Sequence, residues 1–288
     1  MAPCIAFIGG GNMCEAILSG LLKTGHPVSH LRVSEPSAER RAFLQEKYGV
    51  DAVEDNAAAI TGQGSGDVHV SRGVVTDVVV LAVKPQVVGV VVRGVAEALC
   101  AVRPLVVSIV AGVAIGDLAR WAGGAAPIVR LMPNTPALVG EGAAGMFADE
   151  TVSAEQRAQT EYVVGSIAKE YVWVDNEAGI DTVTALSGSG PAYFFLVIEA
   201  MEKAGVELGL DAAAAKRLAA QTALGAAHMV LTSEDDVATL RRKVTSPNGT
   251  THAAIEKMIE QGVPAGVEAG VKAAKARCLS LADEFGKL

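Results

Sequence analysis

The chain has 288 residues, enough for one large or two medium domains, and half of them are hydrophobic while only 4% are aromatic, so its core is aliphatic. A formal net charge of -8, with Arg241-Arg242-Lys243 as the compact basic cluster, argues against a nucleic-acid partner, since no basic stripe is present to neutralise phosphates. Four cysteines without metal-ligand or redox spacing, and five histidines that form no ligand pair, give no reason to expect a metal and fit free thiols in a reducing, cytoplasmic compartment.

In chain order, the apolar runs Ile5 to Ile8, Leu31 to Ser34, Val78 to Val83, Leu105 to Val110 and Ile128 to Met132 predict strands. They are apolar throughout rather than alternating, as in strands buried on both faces of a parallel sheet. The first begins so early that it leaves no room for a signal peptide. The longest apolar run, Val78 to Val92, is broken by Lys84, Pro85 and Gln86, and no membrane span is expected from it. Helical stretches separate these runs, which predicts an α/β doubly wound half. Thr61 to Thr76, rich in Gly and Ser, reads as a surface insertion. Beyond Asp175 to Ala178 the pattern turns helical. Tyr193 to Leu208 and Ala212 to Leu231 are apolar on more than one face, which predicts packing against another subunit.

Three sites along this pattern carry chemistry. Gly9-Gly10-Gly11 lies between the first strand and a helix. Gly9 permits the turn and Gly11 lets the backbone approach a pyrophosphate, with Cys14 at the third small position. The second strand ends Ser34-Glu35-Pro36-Ser37. Here Glu35 offers an acid for a ribose hydroxyl, while Ser34, Ser37 and Arg40 offer partners for a 2′-phosphate, so NAD and NADP both remain open. Lys84 and Pro85 follow a central strand at its carboxyl end, where ligands of open α/β sheets bind, and Met132 to Pro136 ends another strand in a proline-stiffened loop. The third site is Thr245-Ser246-Pro247-Asn248-Gly249-Thr250-Thr251-His252. This tight turn leads into a helix over Ala253 to Ile259, whose first amides lack partners and suit a carboxylate.

Gly9 to Met13, Ala82 to Gln86, Met132 to Pro136, Ala185 to Tyr193 and Thr245 to Thr251, in this order, closely resemble the motifs of the pyrroline-5-carboxylate reductase family over nearly the whole chain. The resemblance implies an α/β, Rossmann-type dinucleotide-binding domain over residues 1–175, followed by an all-α dimerisation and substrate domain over 176–288. It implies a homodimer, or a higher homo-oligomer such as a decamer, with a site shared between subunits. The cofactor would be NADPH or NADH and the substrate Δ1-pyrroline-5-carboxylate, reduced to L-proline. Carried over by position, Gly11, Asn12, Met13, Ser34, Asn56, Ala82, Lys84 and Asn134 look like cofactor contacts, with Gly9 and Pro85 in the same motifs. Ser246, Gly249, Thr250 and Thr251 look like the contacts to the substrate carboxylate and imine. Cys14, Asn248 and the insertion near Gly62 to Gly73 depart from the pattern, and Glu35 leaves the cofactor preference open.

A cyclic imine with a protonated nitrogen needs orientation and a hydrogen bond more than a nucleophile or a metal, and Thr251 is the residue expected to bond that nitrogen. His252, one position further into the helix, stays outside the catalytic set. A β-hydroxyacid dehydrogenase shares the plan but needs a base soon after the glycine motif, and Tyr193 to Met201 contains no lysine. Reduction of a different cyclic imine carboxylate, and cofactor binding without turnover, are also compatible with these residues.

Overall fold

The computed structural model describes residues 2–63, 75–124 and 126–286, so most of the expected insertion lies outside the described residues. The chain opens with β1 (Ile5–Ile8), α1 (Asn12–Lys23), β2 (Leu31–Ser34), α2 (Ala38–Tyr48), β3 (Asp51–Val53) and α3 (Asn56–Thr61). It continues with β4 (Val78–Leu81), α4 (Pro85–Gly94), α5 (Ala96–Val102), β5 (Leu105–Ser108), α6 (Ile115–Trp121) and β6 (Ile128–Met132). Then come β7 (Gly142–Ala148), α7 (Ala154–Gly165), β8 (Ala168–Trp173) and α8 (Glu177–Val183), which runs into a π-helical turn at Thr184–Gly188. The remainder is helical: α9 (Gly190–Glu207), α10 (Ala212–Thr232), α11 (Val237–Lys243), α12 (Thr250–Glu260) and α13 (Val263–Phe285).

Among the described residues, eight strands form one sheet in the order β3-β2-β1-β4-β5-β6-β7-β8, parallel except where β7 meets β6. The order reverses at β1, between β2 and β4, and this crevice is where open α/β sheets receive ligands. Ile5 and Phe7 face one apolar layer with Ile17, Leu18 and Leu21 of α1. Ala6 and Ile8 face the other with Val79, Leu81 and Val88. Burying each large aliphatic side chain stabilises the fold by about 1.5–3 kcal/mol, which is why the strands read as unbroken apolar runs.

By its contacts the chain divides into two compact units, one up to Gly188 joined by the chain from Ala274 on, the other Ser189–Ala273. This differs from a division at residue 175. Arg130 of β6 pairs with Glu177 at 3.0 Å and with Asp181 at 3.6 Å, tying α8 to the sheet. At the other end, Phe285 enters the apolar layer that holds Ile8.

In the helical unit, α9 and α10 approach closely, so that a Cβ at Gly205 would stand 3.2 Å from Ala215 Cβ. Phe194, Phe195 and Leu196 on α9 are each about two-thirds exposed, as are Leu224 and Leu231 on α10. Elsewhere, the stretch Glu177–Glu207 is long and apolar enough to cross a membrane by length and composition alone, with 17% of its apolar window buried.

Candidate active site

Gly9 takes φ +100°, and a Cβ there would lie 2.7 Å from the carbonyl oxygen of Ala82. Only glycine turns the chain there without strain and collision. The turn is held by its own backbone: Gly9 N–H donates to Ser34 O at 2.9 Å, and Ala82 N–H donates to Ile8 O at 2.9 Å. Gly11 is different. It is exposed, in extended backbone at φ -72° as the N-cap of α1, and a Cβ built on it meets nothing within 4 Å. Glu15 N–H makes the first helical bond, to Gly11 O, so the amides of Asn12, Met13 and Cys14 precede the ladder at the positive end of the helix dipole. Open space over Gly11 with those amides beside it fits a dinucleotide pyrophosphate. Cys14 is fully buried, so its side chain packs rather than lines the turn, and burial pushes its thiol well above the ordinary range.

Glu35 closes the far side of the turn. Its Oε2 accepts from Gly10 N–H at 2.9 Å and its Oε1 from Ser37 N–H at 3.0 Å. Arg40 donates through Nε to Gly10 O at 2.7 Å and through Nη2 to Glu15 Oε2 at 2.6 Å, with its guanidinium over the Phe43 ring. Partial burial works against ionisation of Glu15, but hydrogen bonds from Lys47, Arg40 and Tyr48 outweigh it and hold the carboxyl down at about 2. Arg41 binds the carbonyls of Glu35 and Pro36 and pairs with Glu54 at 3.1 Å. Both arginines are therefore engaged with neighbouring groups.

Two of the expected contacts are turned inward. Ser34 is fully buried and its hydroxyl donates to Phe7 O at 3.3 Å, so it supports the sheet and offers no hydroxyl to a phosphate. Asn134 is also buried. Its Nδ2 donates to Ser187 O at 3.1 Å and its Oδ1 accepts from Ala143 N–H at 3.0 Å, which clamps the loop after β6 to β7 and to the π turn. The remaining first-unit candidates sit at strand and helix ends as expected. Lys84 is the exposed N-cap of α4 with Pro85 in its first turn, and Asn56 opens α3 beside its cap Asp55. Asn56 lines a cavity of about 540 Å³ with Pro36, Glu54 and Asp55.

In the helical unit, Gly249 N–H donates to Ser246 O at 3.0 Å across a turn with Pro247 second and left-handed Asn248 (φ +61°) third. This is the residue pattern of a type II turn, whose third position asparagine tolerates at positive φ. Gly249 is the N-cap of α12 with no side-chain cap, and Ala253 N–H to Gly249 O is the first helical bond. The amides of Thr250, Thr251 and His252 therefore precede the ladder, beside the exposed Ser246, Thr250 and Thr251. His252 Nε2 lies 3.4 Å from Glu256 Oε1 one turn on, directed along its own helix.

Sequence reasoning missed the network that braces the glycine turn. Nothing in the spacing of Glu15, Arg40 and Lys47 signals that they meet, because it takes the sheet to bring α1 beside α2. Glu35 was visible as a ribose partner, but its bond to Gly10 was not.

Residues 177–281 match the family model described as pyrroline-5-carboxylate reductase dimerisation, and residues 4–112 match that of a coenzyme F420-dependent NADP oxidoreductase. Over 287 residues the chain is 46% identical to a pyrroline-5-carboxylate reductase of Pseudomonas aeruginosa, covering 99% of both chains. The chain belongs to the pyrroline-5-carboxylate reductase family. A solved pyrroline-5-carboxylate reductase from Coxiella burnetii superposes with a TM-score of 0.86 at 39% identity, covering 98% of this chain and 99% of that one. The Plasmodium falciparum pyrroline carboxylate reductase with NADP bound gives 0.83 at 27% identity, over 97% and 98% of the two chains. The dimerisation match begins at the start of the apolar stretch Glu177–Glu207 and runs through α9 and α10. The exposed phenylalanines and leucines of these helices lie within the matched dimerisation segment, and the match supports a homo-oligomer.

Proposed function

We propose that this protein is a cytoplasmic enzyme that reduces Δ1-pyrroline-5-carboxylate to L-proline with NADPH or NADH, the last step of proline synthesis. The observation that carries the reading is the amino end of α12, where three amides outside the helical ladder stand with three hydroxyls and no carboxylate or lysine among Ser246 to Thr251. That set suits a small anionic substrate whose reaction needs no side-chain base.

When bound, the cofactor would supply a hydride to the imine carbon, C2 of the pyrroline ring, which becomes C5 of proline. Gly11 admits the pyrophosphate, and the amides of Asn12 and Met13 bond it. Gly9 shapes the turn, and Ala82, Lys84 and Pro85 flank the cofactor at the end of β4. Asn56 faces its adenosine side, while Ser34 and Asn134 hold the loops in position from within. On the substrate, Ser246, Gly249 and Thr250 hold the carboxylate, and the Thr251 hydroxyl accepts a hydrogen bond from the protonated ring nitrogen. Protonation makes the imine carbon electrophilic, and Thr251 orients that N–H as the carbon accepts hydride. The assembly is at least a homodimer built through the helical segment, with a decamer as its larger form.

Steady-state kinetics test the central assignment. Thr251→Ala should lower kcat/KM for the imine at least about tenfold, roughly 1.4 kcal/mol, while Thr251→Ser retains most of it. An unchanged kcat/KM in Thr251→Ala removes Thr251 from the reaction.

A further inference from the structure

We propose that Glu35 makes this enzyme select NADH over NADPH, a refinement that rests on the cofactor reading above. The two cofactors differ only by the 2′-phosphate on the adenosine ribose. The end of β2, next to the glycine turn, is where Rossmann folds meet that ribose.

Three observations converge there. The Glu35 carboxylate is fixed by Gly10 N–H at 2.9 Å and Ser37 N–H at 3.0 Å, one bond to each oxygen. Each oxygen keeps a further lone pair, so the group stays able to accept from ribose hydroxyls. Packing also restrains its position, because a Cβ on Gly10 would lie 3.2 Å from both Glu35 Cβ and Oε2.

The second observation is that the residues expected to receive a phosphate are engaged elsewhere. The Ser34 hydroxyl is buried on Phe7 O, and the Ser37 hydroxyl caps α2 by accepting from Arg40 N–H at 3.3 Å. Arg40 is tied to Glu15 and Gly10 O, and Arg41 to Glu54 and two carbonyls. Lys84 follows β4, which lies two strands from β2 across β1, about 10 Å at ordinary strand spacing.

Third, the cavity beside Pro36 carries Glu54 and Asp55 on its wall, so a 2′-phosphate there meets more negative charge. Charge of like sign held close together is repulsive, whereas a ribose hydroxyl finds a fixed acceptor.

Fluorescence titration of the homo-oligomer with NADH and with NADPH, without the imine, tests this apart from turnover. Wild type should bind NADH at least about tenfold more tightly than NADPH. Glu35→Ser and Glu35→Gln should each shrink that ratio at least about fivefold, mainly by tightening NADPH. Within one variant the ratio cancels any general loosening of the glycine turn, since the two cofactors are identical except at the adenosine 2′-position. Equal or tighter binding of NADPH by wild type, or a ratio unmoved in both variants, overturns the inference and leaves the reductase reading intact. Failure to bind either cofactor overturns the reading beneath it as well.

Discussion

Gly9 and Gly11 are two residues apart and have opposite roles, which makes alanine at each a sharp test. At Gly9 the new methyl must accept φ +100° and a 2.7 Å contact with the Ala82 carbonyl. Left-handed strain costs about 1–2 kcal/mol, and displacement of β4 adds a comparable amount, for about 2–4 kcal/mol in all. For a unit of this size that lowers Tm by about 4–16 °C. At Gly11 the backbone is ordinary and the space is open, so the folded state loses only about 0.5–1 kcal/mol from a poorer N-cap. The methyl there nevertheless occupies the place where the pyrophosphate must approach, and cofactor affinity should fall at least about tenfold, or 1.4 kcal/mol. Calorimetry and cofactor-fluorescence titration on both variants separate the two effects. Unchanged affinity in Gly11→Ala, or unchanged Tm in Gly9→Ala, would refute the division of roles.

The brace behind the turn predicts a pH dependence. The Glu15 carboxyl is depressed to about 2, so the stability it contributes is present in full above its unfolded value of about 4.3 and is lost as pH falls from there through about 2. The Tm gap between wild type and Glu15→Gln should therefore be widest at pH 6 and close toward pH 2, and a gap constant across that range would contradict the network. Phe194, 65% exposed on α9, lies within the segment that matches the dimerisation model. Phe194→Glu should weaken self-association at least about tenfold in light scattering, from multiples of the 29.5 kDa subunit toward the monomer, and an unchanged mass would remove it from the interface.

The strands legible in the sequence are those buried on both faces. β1, β2 and β6 begin and end where their apolar runs do, whereas β4 and β5 stop two residues short of Val83 and Val110. The latter pair stop early because the chain leaves the ladder to build the ligand-facing loops. β3, β7 and β8 gave no such signal. β3 has three residues, β8 is largely exposed, and β7 is built of small residues because a Cβ at Gly145 would lie 2.6 Å from Val183. Local pattern reports burial along one strand, and these three are specified by neighbours far away in sequence. The same limit applies to the site. The glycine turn and the loop at Ser246 to Thr251 were readable because their chemistry is contiguous. The inward orientation of Ser34 and Asn134 was not, because Phe7 O, Ser187 O and Ala143 N come from other elements.

The most direct measurement follows the nicotinamide absorbance of purified enzyme given Δ1-pyrroline-5-carboxylate with NADH or NADPH, with proline quantified in the product. The account predicts rapid, imine-dependent loss of reduced cofactor matched mole for mole by L-proline. Cofactor binding without any imine-dependent oxidation of either nucleotide would contradict it.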